Sequence, residues 1–337
     1  RSSAESVAYF MLSIIPARFS VLVLFVVSAF VSVAMGTSVG TITLITPIAV
    51  ALASSTGFGM PLCIGAVVGG AMFGDNLSFI SDTTIAACNG QGCAMKDKFR
   101  ENFWIALPAA LATLVILLVQ SFGLEVGAGV GGEYNLIQII PYVLVLVGGI
   151  IGINVFVVLL IGIVTGSVIM LATGATAATD LLANMGSGAA GMFETTMVAI
   201  LVSAICALIP EYGGFEALLD LIKRVFKGKK GGELGMGLLV GAMDIATANN
   251  TVAIVMAGPI AKEISDEFGV DPKRSASLLD IFASVGQGMI PYGAQLLMAA
   301  GLATITPFEI MGYLYYPMAL GAVALIGIFL RYPRKYS

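Results

Sequence analysis

Histidine is absent from this chain of 337 residues, and only 11% of the residues are charged. Without imidazole, the chain cannot build a Ser-His-Asp triad or a histidine metal site. The four cysteines, Cys63, Cys88, Cys93 and Cys206, fit neither a zinc knuckle nor a disulfide framework. No nucleophile–base pair stands out either. We therefore expect a protein that is not an enzyme and that needs no cofactor.

Apolar residues are abundant, at 58% of the chain, and 41 residues are glycine. Soluble domains carry about 25% charged residues, so this chain cannot hide its apolar surface from water. Apolar segments of about 20 residues recur, which is the length needed to cross a bilayer, and glycines let membrane helices approach closely. The composition predicts an all-α, polytopic membrane protein that is surrounded by lipid and binds no nucleic acid.

Basic residues concentrate in three clusters at the ends of apolar segments: Lys96, Lys98 and Arg100; Lys223, Arg224, Lys227, Lys229 and Lys230; Arg331, Arg334 and Lys335. The positive-inside rule places these clusters in the cytoplasm. On this assignment no Lys or Arg lies in the middle of a span, where it could clamp an organic anion. Asp280 is expected to pair with a base at the membrane edge.

A weak internal repeat appears when the chain is shifted by 212 positions. The shift aligns TPIA at 46–49 with GPIA at 258–261, and GTSVGT at 36–41 with ANNTVA at 248–253. The last span of the first copy runs outward and that of the second runs inward, which is typical of the inverted repeats of secondary transporters. The predicted division is a first repeat at 1–122, central spans at 123–210, a basic cytoplasmic loop at 211–233 and a second repeat at 234–337.

Two polar islands interrupt the apolar segments of these repeats. Polar groups in hydrocarbon cost several kcal/mol unless they face a cavity, a partner or an ion. The first island, at 36–41, is suited to a non-helical break and offers Thr37 and Ser38 as oxygen ligands. The second offers a carboxylate, two amides and a hydroxyl from Asp244, Asn249, Asn250 and Thr251. Ligand sets made only of oxygen favour a hard cation such as Na⁺.

The stretch GDNLSFISDTT at 74–84 is the third polar island. Asp75 and Asp82 are seven positions apart, which predicts two carboxylates on one helix face. Carboxylates that share a wet cavity repel each other, so the site favours a bound cation or a proton. The structural alternative is that one of them caps a helix. The candidate ligands are Asp75, Asn76, Ser78, Ser81, Asp82, Thr83 and Thr84, and the shift places Gln287 and Gln295 opposite Asp75 and Thr83 as a neutral second half.

These motifs resemble those of the NhaC-type Na⁺/H⁺ antiporter family, which is similar to the malate/lactate antiporters and belongs to the ion-transporter superfamily. The resemblance implies inverted repeats, broken or re-entrant helices near the membrane midplane, and a bacterial cytoplasmic membrane. It also implies that the residues matching the family's motif have a functional role: Asp75, Ser78, Ser81, Asp82, Thr83, Thr84, Asn249, Asn250 and Thr251. Family members usually have further spans before the first repeat, so we expect the chain to be incomplete at its N-terminus.

The sequence thus predicts an antiporter that exchanges Na⁺ for H⁺ by alternating access. Na⁺ is expected at Asp75, Asp82, Asn249 and Asn250. The alternative is a Na⁺- or H⁺-coupled transporter of amino acids or of small organic anions such as malate and lactate. Helix N-termini at the polar islands could hold such an anion without arginine. Whether the protein forms a homodimer is left open.

Overall fold

A computed structural model describes residues 3–123, 134–150, 153–174, 176–191 and 224–332, with short pieces between 193 and 221. Every regular element in the described part of the chain is a helix, which confirms the predicted all-α class. Four described regions are long and apolar enough to cross a membrane: 17–35, 38–56, 60–91 and 95–123.

The first unit contains two interruptions that coincide with the predicted polar islands. The helix α2 ends at Gly36, whose φ of 67° turns the chain, and the side chain of Thr37 then caps α3 by accepting the Gly40 N–H at 3.3 Å. A second break separates α4 from α5 at residues 78–81. The helices of this unit are α1 (Ser3–Ile14), α2 (Ser20–Met35), α3 (Ser38–Thr56), α4 (Met60–Leu77), α5 (Asp82–Gln91) and α6 (Met95–Gly123).

The central region contains α7 (Leu136–Ile150), α8 (Val155–Ala172) and α9 (Ala178–Gly191), followed by a short helical turn at Leu208–Glu211. The central region predicted at 123–210 is divided between α7 and α8, which end at Ile150 and begin at Val155. Much of 192–223, including the first part of the predicted loop at 211–233, lies outside the described residues.

The second unit repeats the helix boundaries of the first at a constant offset of 212 (250 − 38). The helices α3, α4 and α5 of the first unit correspond residue for residue to α11, α12 and α13 of the second. The second unit consists of α10 (Gly228–Thr247), α11 (Asn250–Phe268), α12 (Pro272–Met289), α13 (Ala294–Ala303), α14 (Pro307–Met311) and α15 (Tyr315–Leu330).

The boundary predicted at 233/234 differs from the structure. Residues 228–233 belong to the first turns of α10 rather than to a loop. Gly231 and Gly232 are buried there. Their packing is close, since a Cβ at these positions would lie 3.1 Å from the Phe226 carbonyl carbon and 2.9 Å from the Phe268 Cβ, respectively. The glycines that suggested a loop are instead close-packing positions of a helix.

The equivalent helices α4 and α12 run in opposite directions. The Asn102 amide nitrogen bridges the Asn76 carbonyl at 3.1 Å and the Asp280 carboxylate at 2.8 Å, so residues 76 and 280 are neighbours. A Cβ at Gly288 would lie 3.6 Å from the Met72 Cε, so residues 72 and 288 are also neighbours. Opposite directions are what an inverted repeat requires, and its orientation across a membrane stays a prediction.

Candidate ion-binding site

Asp75 lies in the last turn of α4, at the point where both breaks of the first unit meet. The carboxylate is 4% exposed. Its Oδ2 accepts a hydrogen bond from the Ser38 hydroxyl at 2.8 Å, and its Oδ1 accepts one from the Ser81 hydroxyl at 2.7 Å. Both oxygens are therefore satisfied by protein groups, and the structure is closed around this carboxylate.

Four helix N-termini converge around the two acidic side chains of the motif. Ser38, at the start of α3, accepts a hydrogen bond at 3.1 Å from the amide of Gln295 at the start of α13. Thr251, at the start of α11, donates at 2.8 Å to Asp82 at the start of α5. Since the positive ends of helix dipoles stabilise negative charge, this arrangement favours ionised carboxylates or a bound anion.

The prediction that Asp75 and Asp82 share one helix face is wrong. Between them, Ser78 is extended and its hydroxyl donates to the Val33 carbonyl at 2.9 Å, which draws the chain out of the helix. Asp82 begins the next helix, is exposed, and accepts the Thr83 N–H at 3.0 Å. The N-cap of α5 is Ser81, although its side chain makes no capping bond.

The hydrogen bonds divide the predicted ligands into groups. The first group surrounds Asp75; it also contains Ser38, Ser81, Thr83, Gln287 and Gln295. The second group is the pair of Asp82 with Thr251. No hydrogen bond in the described residues links Asp75 to Asn249 or Asn250, so the four predicted Na⁺ ligands fall into different groups.

The other predicted ligands serve mainly local roles. Thr37 and Asn249 cap α3 and α11, and the Asn250 side chain accepts the Thr251 N–H at 3.0 Å. The Asn76 side chain accepts a hydrogen bond from the Tyr316 hydroxyl at 3.3 Å. Asp244 is fully buried and belongs to none of these groups.

Lys98 was not predicted as a buried residue, yet its side chain is only 1% exposed. The ammonium donates to Asp280 at 2.6 Å, to the Thr84 hydroxyl at 2.7 Å and to the Asn76 carbonyl at 3.2 Å, which uses its three donors. Lys98 is therefore buried inside the protein, and the cytoplasmic location of its cluster stays a prediction. Asp280 pairs with this distant lysine instead of with a base of its own segment.

Arg274 is a second buried base. Its guanidinium contacts Glu101 at 3.0 Å, the Tyr332 carbonyl at 3.2 Å and Glu233 at 3.4 Å. Lys98 and Arg274 are both buried although each lies in the first turn of its helix rather than in the middle of a span. Each of them is nevertheless neutralised by a buried acid.

A sequence signal for this network existed on α6. Lys98, Glu101 and Asn102 are three and four positions apart, so they lie on one helix face. A face that carries three polar groups at the start of a long apolar helix indicates polar partners elsewhere. The charged partners Asp280 and Arg274 are more than 170 residues away, and no local pattern identifies them.

Comparisons with known proteins place these features in context. The profile of the Na⁺/H⁺ antiporter family matches residues 6–122 and 133–332. The malate-2H⁺/Na⁺-lactate antiporter of Bacillus subtilis is 22% identical over 94% of this chain and 75% of its own length. The Na⁺/H⁺ antiporter NhaC of the same organism is 23% identical over 90% of this chain and 74% of its own. An arginine/ornithine antiporter of Halobacterium salinarum is 22% identical over 79% and 62%.

Proposed function

This chain belongs to the Na⁺/H⁺ antiporter family, and we propose that it exchanges Na⁺ for protons across a bacterial cytoplasmic membrane, with Asp75 as the anchor of the Na⁺ site. The observation that carries the proposal is the buried Asp75 carboxylate between two helix breaks, held by the hydroxyls of Ser38 and Ser81. Breaks of this kind form the substrate sites of many secondary transporters.

The ligand chemistry supports a cation. Within the Asp75 group, Ser38, Ser81 and Thr83 supply hydroxyl oxygens close to the carboxylate. Each hydroxyl has lone pairs that can turn toward an ion once its proton rotates away. Oxygen ligands with one negative charge are suited to a hard monovalent cation. In this conformation the hydroxyls of Ser38 and Ser81 are hydrogen-bonded to the two Asp75 oxygens.

The buried bases also favour a cation over an organic anion. A basic side chain that is free to contact the substrate is a strong way to bind carboxylates. In the described residues Lys98 and Arg274 are the buried bases, and both are bound to acids. To contact Lys98 or Arg274, an incoming carboxylate would have to displace the acid that is already bound there, in a place that is buried inside the protein.

An organic anion remains the second candidate because four helix N-termini meet at the Asp75 and Asp82 groups. Backbone N–H groups at such ends bind carboxylates without any arginine. Two of the relatives carry names that mention malate and lactate or arginine and ornithine, whereas the third is named as a Na⁺/H⁺ antiporter. We propose ion exchange first and exchange of organic solutes as its alternative.

The test uses the purified protein in liposomes that enclose a pH-sensitive dye. A Na⁺ gradient is imposed in the absence of organic solutes, for the wild type and for Asp75→Asn. We expect a Na⁺-dependent pH change in the wild type that is lost in the variant. The matched control is Asp271→Asn, because Asp271 is a partly exposed N-cap of α12 and asparagine caps equally well.

Each outcome is decisive for the proposal. If Asp75→Asn retains the pH change at the rate of the control, the Na⁺ site lies elsewhere. If the wild type shows no pH change until malate, lactate, arginine or ornithine is added, the protein exchanges organic solutes and the proposal of simple ion exchange fails.

A further inference from the structure

Asp244 is the buried acid that the site described above leaves unused. It lies on α10, three residues before the helix ends, and its side chain is 0% exposed. Neither of its carboxylate oxygens has a hydrogen-bond partner in the described structure. Its Oδ2 rests against α12, where a Cβ on Gly286 would come within 2.5 Å. A bare carboxylate is strongly disfavoured in such surroundings, so the group must hold a proton or a cation.

The internal repeat discriminates between a proton and a cation. At the offset of 212, Asp244 corresponds to Ser32 and Gly286 corresponds to Gly74. Ser32 makes the same close contact, since a Cβ at Gly74 would lie 2.5 Å from the Ser32 Cβ. The Ser32 hydroxyl donates a proton to the Ala71 carbonyl at 2.6 Å. The equivalent place thus holds a neutral hydroxyl and no ion, and the neutral form of Asp244 is its protonated carboxylic acid.

The charged groups around Asp244 do not supply an alternative. On the packed helices the ionisable residues are Lys229, Lys230 and Glu233 on α10; Lys262, Glu263, Asp266 and Glu267 on α11; Lys273, Arg274 and Asp280 on α12; and Tyr315 and Tyr316 on α15. None of them forms a hydrogen bond or an ion pair with Asp244 in the described structure. Tyr292 lies six positions after Gly286 in the chain. Its hydroxyl donates to the carbonyl of Ile245, the residue after Asp244, at 2.8 Å.

We propose that Asp244 carries the exchanged proton, while Asp75 carries the cation. The inference rests on the proposed function. The Asp244 carboxylate takes up a proton from water on one side of the membrane and becomes the neutral acid that its unpartnered, buried position requires. After the units rearrange, the same O–H bond breaks and the proton is released to water on the other side.

Hydrogen bonds connect the surroundings of Asp244 to Asp75, although Asp244 itself makes none in the described structure. Gln287 follows Gly286 directly, and its amide nitrogen donates to the Ala248 carbonyl at 3.2 Å and to the Gln295 side chain at 2.6 Å. Gln295 donates to Ser38, and Ser38 donates to Asp75. A shift of α12 against α10 when Asp244 loses its proton would therefore move Gln295 and Ser38 at the cation site.

The experiment separates proton movement from Na⁺ movement in liposomes that contain the full chain. Exchange of ²²Na⁺ for unlabelled Na⁺ at equal pH reports the cation site alone, and the enclosed dye reports protons. We expect Asp244→Asn to retain ²²Na⁺ exchange within twofold of the wild type while it loses at least tenfold in Na⁺-driven proton movement. Asp75→Asn should lose both activities.

Asp244→Ser provides a second variant that keeps the fold, because serine is the residue at the equivalent position of the first unit. It should behave like Asp244→Asn. Proton movement that persists at the wild-type rate in either variant would overturn the assignment. Loss of ²²Na⁺ exchange in both folded variants would also overturn it, since Asp244 would then be part of the cation site.

Infrared spectroscopy tests the protonated carboxyl without any transport. The wild type at neutral pH should show a carboxylic acid C=O stretch that disappears in Asp244→Asn and remains in Asp271→Asn. Absence of such a band in the wild type would overturn the proposal. A wild type that exchanges no Na⁺ but shows the band would contradict the proposed function and leave the protonation of Asp244 established.

Discussion

The two units share the boundaries of three consecutive helices and differ in their chemistry. Helix boundaries coincide at the offset of 212 through three consecutive helices, and left-handed residues recur at Gly36 and Ala248. The acids do not recur: Asp75 corresponds to Gln287, and Asp244 corresponds to Ser32. The breaks and close-packed glycines thus determine the fold, whereas the polar positions can change independently within it.

The contact of α6 with α12 also differs in chemistry from the equivalent positions of the other unit. Lys98 and Asp280 form a buried ion pair, while the equivalent positions hold Ile310 and Val68, which are both 0% exposed. Apolar side chains therefore fill the two buried positions that are equivalent to Lys98 and Asp280. Since a buried ion pair is often replaceable by apolar residues of similar size, this pair is not required for the fold.

The largest expected effect comes from breaking that ion pair on one side. Lys98→Ile should lower the free energy of unfolding by about 3–5 kcal/mol, because Asp280 is left buried without a counter-charge. Asp280→Val should cost a similar amount by isolating Lys98. The apparent melting temperature in detergent provides the measurement.

The double variant Lys98→Ile with Asp280→Val sharpens the comparison, because it copies the apolar pair of the other unit. We expect its melting temperature to return close to that of the wild type, which a double-mutant cycle would express as a strong coupling. If the double variant is as unstable as the sum of the single variants, the two packing surfaces are not interchangeable.

The sequence predicted the fold more fully than the site. The glycines and hydroxyls at 36–41 were sufficient to predict the first break, because those signals are local, whereas the break at 78–81 was not predicted. The placement of Asp75 and Asp82 on different helices was not predicted. It depends on the hydrogen bond from the Ser78 hydroxyl to the carbonyl of Val33, which is 45 residues away. The ion pair of Lys98 with Asp280 joins residues 182 positions apart, and no spacing rule reaches that far.

Large and small residues exchange places between the units. Enlarging one of the small residues is expected to have an effect of intermediate size on the unfolding free energy. Gly70 on α4 packs against Phe25 on α2, while Gly237 on α10 packs against Phe282 on α12, and these positions are equivalent. Gly237→Ala would place its Cβ 2.7 Å from the Phe282 ring. We expect a loss of about 1–3 kcal/mol in unfolding free energy from overpacking.

Gly241→Ala is the matched control for this helix. A Cβ at Gly241 would meet nothing within 4 Å. Alanine in a helix interior is favoured over glycine by about 0.5–1 kcal/mol, so the melting temperature should rise slightly. Equal destabilisation by both substitutions would show that the ring of Phe282 does not limit the spacing of α10 and α12.

The smallest effect is expected where the second unit departs from the first at the helix break. Ala248 has a φ of 51°, in the region where a Cβ is strained, and Gly36 occupies the equivalent place with a φ of 67°. Ala248→Gly should relieve that strain and stabilise the protein by up to about 1 kcal/mol, partly offset by the greater freedom of glycine in the unfolded chain. The reverse change, Gly36→Ala, should destabilise it, because its Cβ would lie 2.7 Å from the Ile80 side chain. A lower melting temperature for Ala248→Gly would mean that the two breaks are not energetically equivalent.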